Sequence, residues 1–518
     1  MRRTRRLAVL TTGLAIGIPT LGLAGPQLFN DSSWTTSGLA ALERAEALQQ
    51  AQRERAKNVI LFVGDGMGVS TLTAARILEG QKRGQPGEEN SLSFEHFPYL
   101  SLVKTYSVNQ QTSDSAPTMT AMITGVKTKD GILSLDEDVV RGDHTTAAGN
   151  ELVTILELAE ERGLSTGIVS TARITHATPA ACYAHSPERD WESDAELPEA
   201  ARAAGFKDIA RQLVEFDRGD GLEVALGGGR SYFLPTTVLD PEDTGSSGRR
   251  KDGRDLTAEW AARDGAAYVW NQAQFAAIDP STTTHLLGLF EQSHMEYEAD
   301  RARDLGGEPS LAELTSKAIE ILAKNDKGYF LMVEAGRIDH AHHAGNAARA
   351  LEDTIALSDA VKLALEKTSA GDTTILVTAD HSHVLTLAGY PARGNDILGK
   401  VVTLDSQGEI ADGYATDLNG KPYTTLSYGN GPGHRAGERP DLTAVDTEAL
   451  DYLQEATVPL SAETHAGEDV ALYANGPSAQ LVHGNQEQTF SFYVMAHALG
   501  FDRQRGSRSL WDALAQWF

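Results

Sequence analysis

Four short runs of uninterrupted apolar sequence constrain the fold of this chain more than any other feature. Asn58–Val63 (NVILFV), Thr166–Ser170 (TGIVS), Tyr329–Val333 (YFLMV) and Thr373–Thr378 (TTILVT) lack the strict alternation of a strand with one wet face. They read as parallel strands buried on both sides. Helical periodicity fills the stretches between them, at Glu151–Arg162, Leu311–Lys324 and Ala347–Thr368. Alternation of this kind predicts an α/β fold, with a large, mostly parallel central sheet sandwiched between helices in three layers. Upstream, Ser37–Ala56 spaces Leu39, Leu42, Ala45, Leu48 and Ala51 as an amphipathic helix, within an N-terminal arm covering residues 25–56. Residues 57–518 are then expected to form the main domain. Pro235–Gly253 reads as a surface loop, and Gly389–Arg435 as a crown-like insertion on the same scaffold.

The residues that follow each run are chemically richer than turns require. Val63 leads into Gly64-Asp65-Gly66-Met67-Gly68, and TGIVS into Thr171 through His176 and Thr178. YFLMV leads into Glu334, Asp339, His340, His342 and His343, and TTILVT into Asp380-His381-Ser382-His383. Ligands of open α/β sheets bind beyond the carboxyl ends of the strands, so these side chains should pool in one place. Taken singly, Gly64-Asp65-Gly66 also fits an ordinary turn, and Asp380-His381 a capped helix start. The Glu334–His343 segment, with one Glu, one Asp and three His, is harder to read that way.

A nucleophile is offered by Ser115 in Thr112-Ser113-Asp114-Ser115-Ala116-Pro117-Thr118. Pro117 marks a helix start, where free N–H groups and the helix dipole favour an anion. In isolation Ser115 reads as a plain helix cap. The ligands gathered around it make an activated hydroxyl the better reading.

Composition removes several alternatives. The 518 residues carry 45 Lys and Arg against 72 Asp and Glu, a net charge of −27, which argues against binding nucleic-acid backbones. The single cysteine, Cys182, excludes an intrachain disulfide framework or a Cys-rich zinc module and reads as a small buried hydrophobe. Metal, if bound, must sit on carboxylates, imidazoles and hydroxyls. The acidic surface, with 14 Lys to 31 Arg, suits a salty medium or reflects a GC-rich genome. Stability and activity indifferent to NaCl would remove the salt reading. Met1–Arg6 is basic, Leu7–Leu23 apolar, and Gly22-Leu23-Ala24 offers a cleavage site, so residues 1–24 read as a signal peptide. The paired arginines fit either the general or the twin-arginine route. The mature protein is expected to be exported, periplasmic or secreted, without a membrane span.

The segments GDGMG, DSAPTMTA, His176-Ala177-Thr178-Pro179, VEAGRIDHAHH, TADHSHV and Glu463 through Val470 (ETHAGEDV) together resemble the signatures of alkaline phosphatases. The likeness is to the animal and marine-bacterial type and runs in order from about Ala56 to Gly500. It implies two zinc ions and one magnesium. Asp339, His343 and His465 would hold the first zinc, and Asp65, Asp380 and His381 the second, with Ser115 as its reacting ligand. Asp65, Thr178 and Glu334 would hold magnesium. Arg189 matches the arginine that clamps two phosphate oxygens. His176 and His340, in place of Asp and Lys of the enterobacterial relatives, imply looser magnesium binding, faster turnover and a more alkaline optimum. Glu242, the Phe290 carbonyl, Glu291 and Glu308 resemble a calcium site, although the animal pattern has Asp where Glu308 stands and a spacing two residues different.

The expected activity is hydrolysis of many small phosphate monoesters through a phosphoserine, by a homodimer with the N-terminal helix and the insertion at the contact. A phosphodiesterase or phosphonate hydrolase of the same superfamily and a non-enzymatic metal or phosphate store are the alternatives. The first would prefer bis(p-nitrophenyl) phosphate, and the second would bind metal without turnover.

Overall fold

A computed structural model describes residues 32–48 and 55–501. The signal-peptide segment 1–24 lies outside these residues. Ten strands form one large sheet. In chain order they begin with β1 (Asn58–Gly64), β2 (Tyr99–Lys104), β3 (Ser165–Arg173), β4 (Val224–Gly228), β5 (Ala266–Val269), β6 (His285–Leu289), β7 (Tyr329–Ala335) and β8 (Thr373–Ala379). Val470–Asn475 and Gly484–Glu487 complete it. Across the sheet the order is Gly484–Glu487, β2, Val470–Asn475, β8, β1, β7, β3, β4, β6, β5. All neighbours are parallel except Val470–Asn475, which runs against both β2 and β8. The mostly parallel α/β sheet expected from the sequence is present.

Every residue of β1, β7 and β8 is buried, which explains why their sequences do not alternate. Helices cover the sheet in two sets that pack within themselves. One contains Val69–Lys82, Leu311–Leu322 and Ala347–Lys367, and the other Ser115–Thr124, Ala177–Ala180 and Phe490–Ala498.

Several boundaries differ from the sequence reading for local reasons. The helix expected at Glu151 starts at Ile155, because Thr154 accepts from the Glu157 N–H while the Glu157 carboxylate accepts from Thr154 N–H. Glu151 pairs with Leu135 instead. The helix expected at Ser37–Ala56 is described over Ser33–Leu48, with Leu39 and Leu42 buried. Pro235–Gly253 is a surface loop only in part. Arg250, fully buried, makes paired bonds to Asp208 at 2.9 Å, and Asp240 takes two from buried Arg230 at 2.7 and 2.8 Å. The insertion has some order of its own. Leu426–Gly431 lies between Leu385–Leu387 and Ala456–Pro459 in a small three-stranded sheet.

Candidate active site

Strand register begins to build the site before side chains are considered. Gly64 pairs with both Ala335 and Ala379, and Val63 with Glu334. Asp65, Glu334 and Asp380 therefore arrive together at one end of three fully buried strands. Gly66 turns the chain there with φ of +69°, and a Cβ on it would lie 2.3 Å from the His383 ring, so glycine is required.

Asp339, His343 and His465 converge. His343 Nε2 and His465 Nε2 each lie 3.3 Å from Asp339 Oδ1 and 3.1 Å from each other. Asp65, Asp380 and His381 form a second group, with His381 Nε2 at 3.4 Å from Asp65 Oδ1 and 3.3 Å from Asp380 Oδ2. Ser115 Oγ stands 3.2 Å from that same His381 nitrogen. Ligand atoms at about 2 Å on a tetrahedral ion are roughly 3.3 Å apart, so both groups have the right spacing. His343 Nδ1 donates to the Glu463 carbonyl at 2.6 Å and His465 Nδ1 to the Ser113 carbonyl at 2.8 Å. Each ring thereby turns an unprotonated Nε2 inward.

The third group, Asp65, Thr178 and Glu334, offers oxygens, and a His176 ring nitrogen lies within 4.8 Å of its two carboxylates. Both carboxylate oxygens of Asp65, the Thr178 hydroxyl and Glu334 Oε1 are buried and, among the described residues, find no hydrogen-bond partner. Ser170 donates to the other Glu334 oxygen. Orphaned buried oxygens are costly unless something absent from the protein satisfies them, and oxygen ligands suit magnesium. The titration of these groups points the same way. Burial, reinforced by Asp380, Asp339 and Glu334, pushes Asp65 well above the carboxylate range, burial raises Asp380, and burial lifts Glu334 to about 7. Burial would raise Asp339 as well, but His343, His383 and His465 hold it well below. Three clustered carboxyls that resist ionisation are what a cation site looks like without its cations.

Ser115 opens the helix Ser115–Thr124. Its cap residue, Asp114, makes no side-chain capping bond. Asp114 instead ion-pairs with Arg189, leaving the first N–H groups of the helix free for an anion. Arg189 Nη2 also donates to His176 Nε2 at 3.0 Å, so Arg189 links His176 to Asp114, the residue before Ser115. An open cleft of about 420 Å3, lined by Ser113, Asp114, His343 and His465 among others, gives access from solvent.

His383 and Glu463 were missed as functional residues. His383 Nε2 is 2.7 Å from Asp339 Oδ1 and its Nδ1 is 2.5 Å from Glu463 Oε2. Burial would lower its pKa, but the two carboxylates raise it to about 9. The available signal was its spacing. His381 and His383 are two residues apart on a chain that pairs His383 with His465.

Glu242, Phe290, Glu291 and Glu308 also meet, but Arg230 is among them. It donates to the Phe290 carbonyl at 3.1 Å and to Glu242 at 2.9 Å. Asp304, absent from the sequence reading, joins the group. Burial, with neighbouring carboxylates, lifts Glu291 to about 8 and Glu308 to about 9. Asp304 Oδ2 and Glu308 Oε2 lack partners among the described residues. Their oxygens would suit a dication such as calcium, with Asp304 as a further ligand. Cys182 is buried, its thiol pushed up by burial, as expected of an inert side chain.

Comparison with known proteins agrees with this geometry. The family model described as alkaline phosphatase matches residues 56–501. The alkaline phosphatase of Gadus morhua is 44% identical over 488 residues, 93% of this chain and 98% of that protein. The tissue-nonspecific isozyme of Gallus gallus is 46% identical over 474 residues, 90% of this chain and 88% of that protein. Among solved structures, the Thermus thermophilus alkaline phosphatase is 27% identical with a TM-score of 0.61, covering 89% of this chain and 95% of that one. On these matches the chain belongs to the alkaline phosphatase family, enzymes that hydrolyse phosphate monoesters.

Proposed function

We propose that the protein is an exported, metal-dependent phosphomonoesterase of broad leaving-group tolerance that works through a phosphoserine at Ser115, with an alkaline optimum. The observation that carries this reading is Ser115 Oγ at 3.2 Å from His381 Nε2, at the start of a helix and beside a paired arginine. Asp339, His343 and His465 would hold one zinc, Asp65, Asp380 and His381 a second, and Asp65, Thr178 and Glu334 magnesium. Bound there, the ions supply Lewis acidity at the attacking and departing oxygens.

The remaining work falls to the chain. The free N–H groups before Thr118 and the Arg189 guanidinium, steadied by Asp114, hold the phosphoryl oxygens. Ser115 Oγ attacks phosphorus in line, the P–O bond to the ester oxygen breaks, and the alcohol departs with a proton. Water then cleaves the Ser115–phosphate bond, restoring the hydroxyl and releasing phosphate. Few contacts fall on the leaving group, because the site grips the phosphoryl end, which supports broad specificity. His176 and His340 stand beside this centre with ring centroids 5.5 Å apart, and a His176 ring nitrogen lies within 4.8 Å of Asp65 and Glu334 oxygens.

Export rests on the sequence of Met1–Ala24. No helix among the described residues is long and apolar enough to cross a membrane. A homodimer is supported by the family likeness and by exposed Leu404, Ile410 and Leu418 on the insertion. The test is Ser115→Ala on p-nitrophenyl phosphate at alkaline pH, with chelator and zinc add-back. Activity should fall at least about a thousandfold in the variant, and in the wild type it should vanish with chelator and return with zinc. A fully active variant, or indifference to chelator, contradicts the reading.

A further inference from the structure

The insertion reaches the centre of the molecule through one strand. Leu426–Gly431 pairs antiparallel with Leu385–Leu387, which continues the segment carrying Asp380, His381 and His383. Gly429 N–H donates to the Val384 carbonyl at 3.0 Å, and Val384 N–H donates to Glu463 Oε1 at 2.7 Å. The strand therefore runs beside the His383 segment, which is itself tied to Glu463.

Two side chains of that strand continue inward. Tyr428 is buried, with its hydroxyl 2.8 Å from His342 Nδ1. His342 is fully buried, and its Nε2 lies 3.0 Å from the hydroxyl of Thr71 on the helix Val69–Lys82. A hydroxyl can donate or accept, so these two satisfy both nitrogens of a neutral imidazole in either tautomer. His342 is thereby fixed and has no lone pair left for a metal. Its ring stacks on His383 with centroids 4.8 Å apart and planes inclined by 29°. His383 is the ring bonded to Asp339. Asn430 takes a second route. Its Nδ2 donates to Thr464 Oγ1 at 2.9 Å, and Thr464 N–H donates to Asn430 Oδ1 at 3.0 Å. Thr464 stands between His465 and Glu463, whose carbonyl orients His343. Each member of the first ligand group is thus backed by a residue that the insertion holds. Among the described residues no hydrogen bond or ion pair from the insertion is seen to reach Asp65, Asp380 or His381.

We propose that Tyr428 and Asn430 are positioning residues for the cation held by Asp339, His343 and His465, so that the insertion sets how tightly this one ion is retained. The proposal rests on the reading of those three residues as zinc ligands. Partners behind a ligand fix its direction, and losing one weakens metal binding by about 10–100-fold. Tyr428 acts one contact further back, which places its effect near the lower end. An insertion that only stabilised the fold would loosen both zinc ions alike, or neither.

The experiment follows zinc release from the loaded protein to a chelator, and zinc-edge anomalous diffraction from chelator-treated crystals reports the occupancy of each group. Tyr428→Phe keeps the ring and removes the hydroxyl. This variant and Asn430→Ala should each lose the first zinc about tenfold faster than wild type, and the second at the wild-type rate. Thr386→Val is the control. It breaks the 2.9 Å bond between Thr386 and Ser427 in the same strand pair, off the path inward, and should release both ions as wild type does. With zinc in excess, kcat and KM of Tyr428→Phe should return close to wild type, a recovery that a damaged fold would not allow. Wild-type release from both variants, equal loosening of the two ions, or the same loosening in Thr386→Val would overturn the proposal. If wild type and variants all retain two zinc ions equally well, this proposal fails and the phosphatase reading stands. A wild type that holds no zinc at Asp339, His343 and His465 overturns both.

Discussion

Two regions of this protein gather carboxylates, buried in the first and, apart from Glu308, only partly buried in the second, and they balance them differently. At the strand ends, Asp65, Glu334, Asp339 and Asp380 are surrounded by His343, His381, His383 and His465. In the second region, Glu242, Glu291, Asp304 and Glu308 surround Arg230, which directs its bonds to Asp240, Glu242 and backbone carbonyls, while of this group Arg301 reaches only the Glu308 carbonyl. An imidazole can donate, accept or ligate, so the first region can exchange protons and metals while keeping its geometry. A guanidinium only donates. The second region is therefore left with carboxyls that Arg230 cannot satisfy, and Glu308 is held up to about 9 by burial and by Glu291 and Asp304. The first arrangement suits chemistry and the second a structural cation.

This contrast breaks if a charge removed from either region has the same effect. In the first, Asp65→Asn should lower kcat by at least about a thousandfold, since Asp65 serves two groups. The metal-free variant should melt no earlier than the metal-free wild type, because one of several repelling carboxyls is gone. Calorimetry beside a kinetic assay checks both. His383→Ala, which frees Asp339 from its buried partner, should weaken zinc retention against a chelator by about 10–100-fold. Arg189→Ala should cost about 10–100-fold in kcat/KM for monoesters, the value of a lost charge-assisted pair, and leave the melting point nearly unchanged.

The smallest effect belongs to the second region. Glu291 and Glu308 have folded pKa values of about 8 and about 9, above the ordinary 4.5. Without a cation, the stability they allow is complete below about pH 4.5 and is lost as pH rises toward 9. Calcium should therefore raise the melting temperature by roughly a few degrees at pH 9 and little at pH 5. Glu308→Gln should reduce that gain without changing kcat. A large activity loss in Glu308→Gln would erase the distinction between the regions.

The sequence exposed the first region better because strand order does much of the assembly. Continuous apolar runs fix β1, β3, β7 and β8, and their register brings Asp65, Glu334 and Asp380 together from positions over three hundred residues apart. The second region depends on loops after β6 and around Asp240, where no periodicity governs side-chain direction. Asp304 went unseen there, and so did Arg230 among the acids. His383 was missed for another reason. Its spacing from His381 put it near the cluster, but the bonds to Asp339 and Glu463 come from segments far away in the chain. The capping of Thr154 by Glu157, which delays a helix by one turn, was readable as a motif but was masked by the apolar pattern before it.

The central claim is that residues scattered from Asp65 to His465 converge on bound cations beside one hydroxyl. Zinc-edge anomalous diffraction from crystals grown with zinc and magnesium tests it most directly. The account predicts one peak among Asp339, His343 and His465 and a second among Asp65, Asp380 and His381, with Ser115 Oγ within bonding reach of the second. Anomalous density elsewhere, or a Ser115 hydroxyl remote from both peaks, would contradict it.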